Sequence, residues 1–128
     1  MNVLLDTHAF LWFIAGDDSL SESAKQAIES TDNTRFLSIA SLWEISIKVA
    51  LGRLEVPLPI STLVEEHVKG NHIEVLDIKA NHLDKLLDLP QHHRDPFDRL
   101  MIAQAQVEQL CILSVDRHFS KYDIELLW

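Results

Sequence analysis

The sequence predicts an α/β protein in which a parallel sheet of about five strands is covered by helices on both faces. Short apolar runs alternate with amphipathic segments along the chain, beginning with residues 2–5 and 7–15. Strand and helix alternating at this spacing are typical of βαβ units, whose strands are parallel. With 128 residues and a hydrophobic content of 47%, we expect residues 1–128 to form a single domain with a substantial core.

The first half of the chain is divided by residues that favour helix starts and ends. In order, we predict a strand at 2–5, helices at 7–15 and 21–29, a strand at 35–38 and a helix at 39–51. Thr7 is placed to cap the first helix and Ser21 to open the second. Gly16 and Gly52 follow the first and third helices, where glycine is favoured as a terminator.

The second half is divided by proline and glycine in the same way. We predict a helix near 60–69, a strand at 73–76, helices at 79–88 and 96–109, and strands at 111–115 and 124–126. Pro57 and Pro59 mark a loop before the first of these helices, and Gly70 is predicted to end it. The next helix ends before Pro90, and Pro96 suits the first turn of the last one.

The composition limits the class of function. The chain has 11 basic and 20 acidic residues, and its formal net charge of −9 has the wrong sign for binding nucleic acid through phosphate neutralisation alone. Carboxylates clustered on a cation would offset this charge, as would a basic partner chain or a local basic strip. The strip would contain Lys48, Arg53, Arg94, Arg99 and Arg117.

Several features favour a cytoplasmic location and argue against a membrane. No apolar run approaches the ~20 residues of a membrane-spanning helix. The N-terminal residues lack the features of a secretory signal. Cys111 is the one cysteine and cannot form an internal disulfide, as is usual in a reducing compartment.

Four acidic residues stand where βα units would hold a metal ligand. Asp6 and Asp116 close predicted strands, Asp98 lies at a helix start, and Glu44 lies in an almost wholly apolar helix. Ligands of open α/β sheets bind beyond the carboxyl ends of the strands, where the strand order reverses. If the first and fourth strands are neighbours, these carboxylates face one crevice. Clustered carboxylates take up protons or a cation, and their hard oxygens favour Mg²⁺ or Mn²⁺, which support phosphodiester hydrolysis.

Each acid also has a structural explanation. Asp6 and Asp116 are each placed to cap a helical segment, and Asp98 favours the helix dipole. Glu44 has Lys48 four residues on, an ion pair worth about 0.3–0.5 kcal/mol. An acid on so apolar a helix face would nevertheless be desolvated without a strong partner. Four acids at four βα junctions together favour a shared site.

Two other functional classes fit only parts of the sequence. The chain has seven histidines, but His92 and His93 are adjacent and the spacings of zinc motifs are absent, so zinc is disfavoured. A receiver-type signalling domain has a similar length and an acidic pocket, with Asp77 as its middle acid. It also requires an acidic pair near Asp6 and a late lysine, and Lys121 is unsuitably placed.

The four acids lie within longer motifs. The motifs are MNVLLDTHAFLW (1–12), SIASLWEISIK (38–48) with GRL (52–54) after it, HRDPFDRLMIAQA (93–105) and LSVDRHF (113–119). In this order they resemble the motifs of PIN-domain proteins, specifically the VapC-like toxins of bacterial toxin–antitoxin pairs. Ser114 stands at a site that the family often fills with Thr. The likeness runs end to end, and four ordered motifs are far more specific than one.

The resemblance implies a PIN-like three-layer α/β/α fold, Mg²⁺- or Mn²⁺-dependent endoribonuclease activity and homodimers. It also implies a small antitoxin whose C-terminal tail blocks the active site. Carried over by motif, Asp6, Glu44 and Asp98 would be the core metal ligands. Asp116 would hold a metal directly or through water. The number of ions remains open at one or two.

Three further residues would support the metal. Thr7 and Ser38 would orient carboxylates or waters, and Asp95 would either help bind metal or cap the helix that begins at Pro96. Only the resemblance favours RNA over DNA as substrate. A catalytically idle PIN-like module that binds RNA or a partner is the main alternative function, and its mark would be a missing acid.

Overall fold

The protein contains a five-stranded sheet in which each paired strand is parallel to its neighbour. A computed structural model describes residues 1–56 and 59–128. The strands are β1 (Asn2–Leu5), β2 (Thr34–Ser38), β3 (Glu74–Leu76), β4 (Cys111–Leu113) and β5 (Leu126–Leu127). Their order across the sheet is β3-β2-β1-β4-β5. The order reverses between β1 and β4, which pair directly, and the predicted fold class is confirmed.

Six α-helices connect or follow the strands in the described part of the chain. They are α1 (Thr7–Ala15), α2 (Glu22–Glu29), α3 (Ile39–Ala50), α4 (Ile60–Leu63), α5 (Ala80–Asp88) and α6 (Pro96–Glu108). After α4 the chain continues as a wider π turn (Val64–Val68) and a 3₁₀ turn (Lys69–Asn71). A second 3₁₀ turn, Arg117–Lys121, follows β4. None of these helices is long and apolar enough to cross a membrane.

Two hydrophobic cores, one on each face of the sheet, define the three layers. Successive side chains of a strand point to opposite faces. In β1, Val3 and Leu5 accordingly pack in one core with Phe10, whereas Leu4 packs in the other with Met101. The first core is completed by α1, α2, α3 and the α4 segment, and the second by α5 and α6.

Several predicted helix boundaries are confirmed. Gly16 and Gly52 adopt left-handed φ angles of 64° and 72° after α1 and α3. The Ser21 hydroxyl accepts a hydrogen bond from the N–H of Ala24 at 3.1 Å and caps α2. Pro96 is the first residue of α6, as predicted.

Other predicted boundaries are wrong. The N-cap of α1 is Asp6, and Thr7 is the first residue inside the helix. The helical segment after α4 passes through Gly70, because His72 is the residue that adopts the left-handed conformation, with φ 58°. Strand β4 ends at Leu113, two residues earlier than predicted, and β5 begins at Leu126. The loop predicted at Pro57 lies outside the described residues.

A candidate metal centre at the carboxyl edge of the sheet

A cavity of about 270 Å³ lies beyond the carboxyl ends of β1 and β4. The structure brings Asp6, Glu44, Asp98 and Asp116 together there, although α3 and α6 supply two of them from separate βα units. Asp95 also lines the cavity. The remaining lining residues are His8, Trp12, Lys48 and Val115.

The carboxylate of Asp6 is buried at the end of β1, and its side chain does not cap α1. Its N–H donates to the carbonyl of Leu113 at 3.0 Å, which fixes Asp6 beside the end of β4. Its Oδ2 accepts a hydrogen bond from the Ser114 hydroxyl at 2.6 Å. Within the described chain Asp6 occupies the N-cap position without a capping hydrogen bond from its side chain. Burial raises the pKa of Asp6, and the Ser114 bond opposes that rise only in part.

The buried carboxylate of Glu44 contacts one neutral hydroxyl and one charged ammonium group. The Thr7 hydroxyl donates to Oε1 at 2.8 Å, and it also lies 2.9 Å from the Ser41 hydroxyl. The Lys48 ammonium lies 2.6 Å from Oε2, so the ion pair that the sequence allowed is present. Because the exposed fraction of Glu44 is only 6%, this carboxylate has given up most of its hydration for these two partners.

Asp98 shows most directly that negative charge is concentrated in the cavity. Burial raises its pKa first, and the charges of Asp95, Asp6, Glu44 and Asp116 raise it further, to about 8. A carboxyl group with this pKa has several like charges within short range and too little solvent to screen them. A divalent cation would relieve this repulsion, and carboxylate oxygens are the ligands that Mg²⁺ and Mn²⁺ prefer.

Asp116 and Asp95 both serve as helix caps. Oδ1 of Asp116 accepts hydrogen bonds from the His118 backbone N–H and lies 2.9 Å from the His118 ring nitrogen. Partial burial would raise the pKa of Asp116, but these contacts outweigh it and hold the pKa below its usual range. Oδ1 of Asp95 accepts from the N–H groups of Phe97 and Asp98 at 2.8 and 3.0 Å. Asp95 therefore caps α6, and its charge adds to the field on Asp98.

Of the two hydroxyl residues expected to orient carboxylates, Thr7 contacts an acid and Ser38 bonds elsewhere. The Ser38 hydroxyl accepts from the N–H of Ala40 at 3.0 Å and donates to Oε1 of Gln104 at 2.6 Å. Sequence reasoning missed two contacts with the acids, from Ser114 and His93. The position of Ser114 directly after β4 could have indicated its contact with Asp6, because Asp6 directly follows the neighbouring strand β1. His93 precedes α6 in the chain, and its position in the sequence gives no signal of a contact with Asp98.

The fold and the cavity define a class of protein: a doubly wound α/β protein with a group of carboxylates where the strand order reverses. A sequence model of the PIN domain matches residues 3–125, and the chain belongs to the PIN domain family. Because the chain belongs to the PIN domain family, the hypothesis of a receiver-type signalling domain is rejected.

Known proteins similar to the chain agree with this membership. Ribonuclease VapC22 from Mycobacterium tuberculosis is 27% identical over 121 residues, which are 94% of this chain and 91% of that protein. Among solved structures, VapBC2 from Rickettsia felis, bound to a DNA fragment from its promoter, is similar with a TM-score of 0.74, 15% identity and coverage of 99% of this chain and 98% of that one. A toxin–antitoxin complex from Klebsiella pneumoniae is similar with a TM-score of 0.65 and 15% identity, and the match covers 98% of this chain and 96% of that one. These two likenesses are likenesses of fold.

Proposed function

We propose that the chain is a metal-dependent endoribonuclease that acts as the toxin of a toxin–antitoxin pair. The observation that supports this most is the group of four carboxylates in one cavity, among which the pKa of Asp98 is raised to about 8. The relative VapC22 is named a ribonuclease, and one structural neighbour is a toxin–antitoxin complex. A cytoplasmic location belongs to the same proposal, because the substrate is cellular RNA.

The residues proposed to hold Mg²⁺ or Mn²⁺ are Asp6, Glu44, Asp98 and Asp116. When bound, the cation would supply Lewis-acid activation of water and charge neutralisation at the phosphodiester. The chain contributes orientation: Ser114 fixes one oxygen of Asp6, and Thr7 fixes one oxygen of Glu44.

Lys48 adds a positive charge at the rim of the same cavity. Its ammonium lies against Glu44, and its side chain remains 37% exposed. An ammonium in this position is placed to contact a phosphate that enters the cavity. It offsets, at the point of binding, part of the unfavourable net charge of −9.

The partner proposed for the toxin is an antitoxin with a C-terminal tail that is both apolar and basic. An apolar groove of about 420 Å³ runs beside the acidic cavity and shares His8 and Trp12 with it. The groove is otherwise lined by Leu11, Ile14, Ala15, Leu54, Glu55, Val56, Leu63 and His67. A tail with apolar side chains in this groove could place an arginine or lysine among the carboxylates and exclude the scissile phosphate.

Cleavage of total cellular RNA by antitoxin-free protein tests the proposed function. With Mn²⁺ or Mg²⁺ we expect discrete fragments, which EDTA abolishes and excess Mn²⁺ restores. Single-stranded DNA, assayed in parallel, distinguishes a ribonuclease from a deoxyribonuclease. If folded, metal-loaded protein binds RNA without cutting it, the idle binding module becomes the better assignment.

A second copy of the chain is proposed to pack on the outer face of α3. Four apolar side chains, spaced four residues apart, are exposed on that face in the described structure. They are Ile39, Trp43, Ile47 and Leu51. Trp43 is 56% exposed and contacts Phe97 edge to face, with ring centroids 5.1 Å apart. So apolar a surface is typical of an interface, and PIN-domain toxins of this kind are expected to be homodimers.

Ile47→Glu is expected to convert the homodimer to a monomer, because it places a charge in the middle of this apolar face. Light scattering should give a mass near 14.7 kDa for the variant, and about twice that for the wild type. Leu87→Glu is the matched control, because Leu87 is 85% exposed and lies on α5. A wild type that is monomeric at high concentration would contradict the prediction, as would a dimeric Ile47→Glu variant.

A further inference from the structure

His93 lies against two of the four acids and has no role in the function proposed so far. Its Nε2 is 3.0 Å from Oδ2 of Asp98 and 3.7 Å from Oδ2 of Asp116. One ligand-capable atom from each of these three residues lies within 4.8 Å of the other two. We propose that His93 is a positioning residue, whose Nε2–H holds Asp98 and Asp116 for the cation while its imidazole stays unligated. This inference rests on the proposed metal site.

The other ring nitrogen of His93 decides between donor and ligand. The backbone N–H of Asp95 donates to Nδ1 at 3.2 Å, so Nδ1 presents its lone pair to that N–H. The ring proton of neutral His93 is then on Nε2, facing the carboxylates. Binding a cation through Nε2 would require the proton to move to Nδ1, where it would oppose the Asp95 N–H. The geometry therefore favours Nε2 as a hydrogen-bond donor over Nε2 as a metal ligand.

The position of Nε2 also fits a donor that two carboxylates share. The atom is buried, and within the described residues it makes no well-directed hydrogen bond, although both carboxylates are near. A buried donor left without a partner is unfavourable, because it has lost its hydration without gaining a hydrogen bond. A small rotation of either carboxylate would complete the bond. A shared donor of this kind reduces the repulsion between Asp98 and Asp116 and keeps their oxygens directed at one point.

The imidazole is held in this orientation from the C-terminal part of the chain. The Tyr122 hydroxyl accepts hydrogen bonds from the N–H groups of His92 and His93 at 3.1 and 2.8 Å. It donates to the carbonyl of Pro90 at 3.0 Å. The His93 ring also contacts the fully buried ring of Phe119, with centroids 6.2 Å apart. The loop before α6 is therefore fixed, as a positioning residue requires.

The test measures Mn²⁺ binding by the full chain, by titration calorimetry and pulsed electron paramagnetic resonance. His93→Leu removes the donor, and His93→Gln places an amide N–H near the position of Nε2. Partners that orient metal ligands typically change metal affinity about 10- to 100-fold. We expect His93→Leu to raise the Kd for Mn²⁺ about tenfold or more, and His93→Gln to stay near the wild type. His92→Leu, one residue away, is the control for the loop and should also match the wild type.

The resonance experiment compares the wild type with His93→Leu, because His8 also lines the cavity and a ¹⁴N coupling from its ring would be present in both proteins. We expect no ¹⁴N coupling of the strength of a coordinated imidazole that is present in the wild type and lost in His93→Leu. Such a coupling, or a His93→Gln variant as weak as His93→Leu, would overturn the proposal in favour of a nitrogen ligand. Unchanged Mn²⁺ affinity in His93→Leu would overturn it as well.

Failure of this inference can be told apart from failure of the proposed function. Wild-type protein that binds Mn²⁺ with the predicted pattern of variants but cuts no RNA would contradict the function and support the role of His93. RNA cleavage with unchanged Mn²⁺ affinity in His93→Leu would contradict only the role of His93. Wild-type protein that binds no Mn²⁺ would overturn both.

Discussion

Asp98→Asn is expected to abolish RNA cleavage, and with it any growth arrest, in a chain that still folds. The amide removes a negative oxygen from a point where burial, and then the charges of four other acidic side chains, raise the pKa of the carboxyl to about 8. Weakening the hold on the cation removes charge stabilisation that is worth several kcal/mol in the transition state. Since 1.36 kcal/mol is a factor of ten, the rate should fall about a hundredfold or more.

The measurement is cleavage of total RNA with Mn²⁺, at matched concentrations of folded protein. Asp84→Asn is the matched control, because Asp84 is exposed on α5 and is not among the residues that line the acidic cavity. The control should cut RNA at the wild-type rate. Full activity in Asp98→Asn would contradict the assignment of the metal site. The thermal midpoint of metal-free Asp98→Asn should be no lower than that of the wild type, because Asn cannot add to the repulsion in the cavity.

The five acids that line the cavity differ in whether their carboxylate oxygens also cap a helix or a turn. Asp95 gives one oxygen to two N–H groups of α6, and Asp116 gives one to the turn after β4. Asp6 caps nothing with its side chain in the described chain, and Glu44 is buried far from any helix end. Among the proposed ligands, Asp6 and Asp116 each keep one oxygen outside these hydrogen bonds, whereas both oxygens of Glu44 already face Thr7 or Lys48. Asp95 acts mainly through its charge.

The sequence predicted those parts of the fold that depend on local chemistry. Gly16, Gly52 and Pro96 act on their own stretch of backbone, and their effects could be predicted without knowing the sheet. The meeting of Asp6 with Asp116 followed from one tertiary assumption, that β1 and β4 are neighbours. The end of the helical segment at His72 was missed because a residue other than glycine is uncommon at a left-handed position and Gly70 is close by.

The contacts that tune the site were beyond prediction from sequence because they depend on side-chain direction. Ser38 and Ser41 are three residues apart near the start of α3, yet only the Ser41 hydroxyl lies beside Thr7. Ser114 and Asp6 are separated by 108 positions and meet through a pairing of strands. The backbone N–H of His93, whose ring lies against Asp98, donates to the hydroxyl of Tyr122, which is 29 positions along the chain.

Metal-free protein is expected to lose stability as the pH rises from about 4 to about 8. The pKa of Asp98 is raised from 3.8 to about 8, so in this range the folded chain keeps a proton that the unfolded chain has released. The contribution of Asp98 to the free energy of unfolding is therefore fully present below about pH 4 and is lost as the pH rises to about 8. The raised pKa of Asp6 acts in the same direction. The lowered pKa of Asp116 acts only below its ordinary value of 3.8 and does not cancel the effect.

A bound cation should reverse this dependence, because it binds the ionised carboxylates and its affinity rises with pH. Urea unfolding at pH 5 and pH 8, in EDTA and in Mn²⁺, measures both effects. At a Mn²⁺ concentration 100 times the Kd, the free energy of unfolding should rise by about 2.7 kcal/mol. The comparison that isolates the site is with Asp98→Asn, in which both the decline in EDTA and the gain from Mn²⁺ should shrink. Equal curves for the two proteins would mean that the clustered carboxylates do not set the charge balance of the cavity.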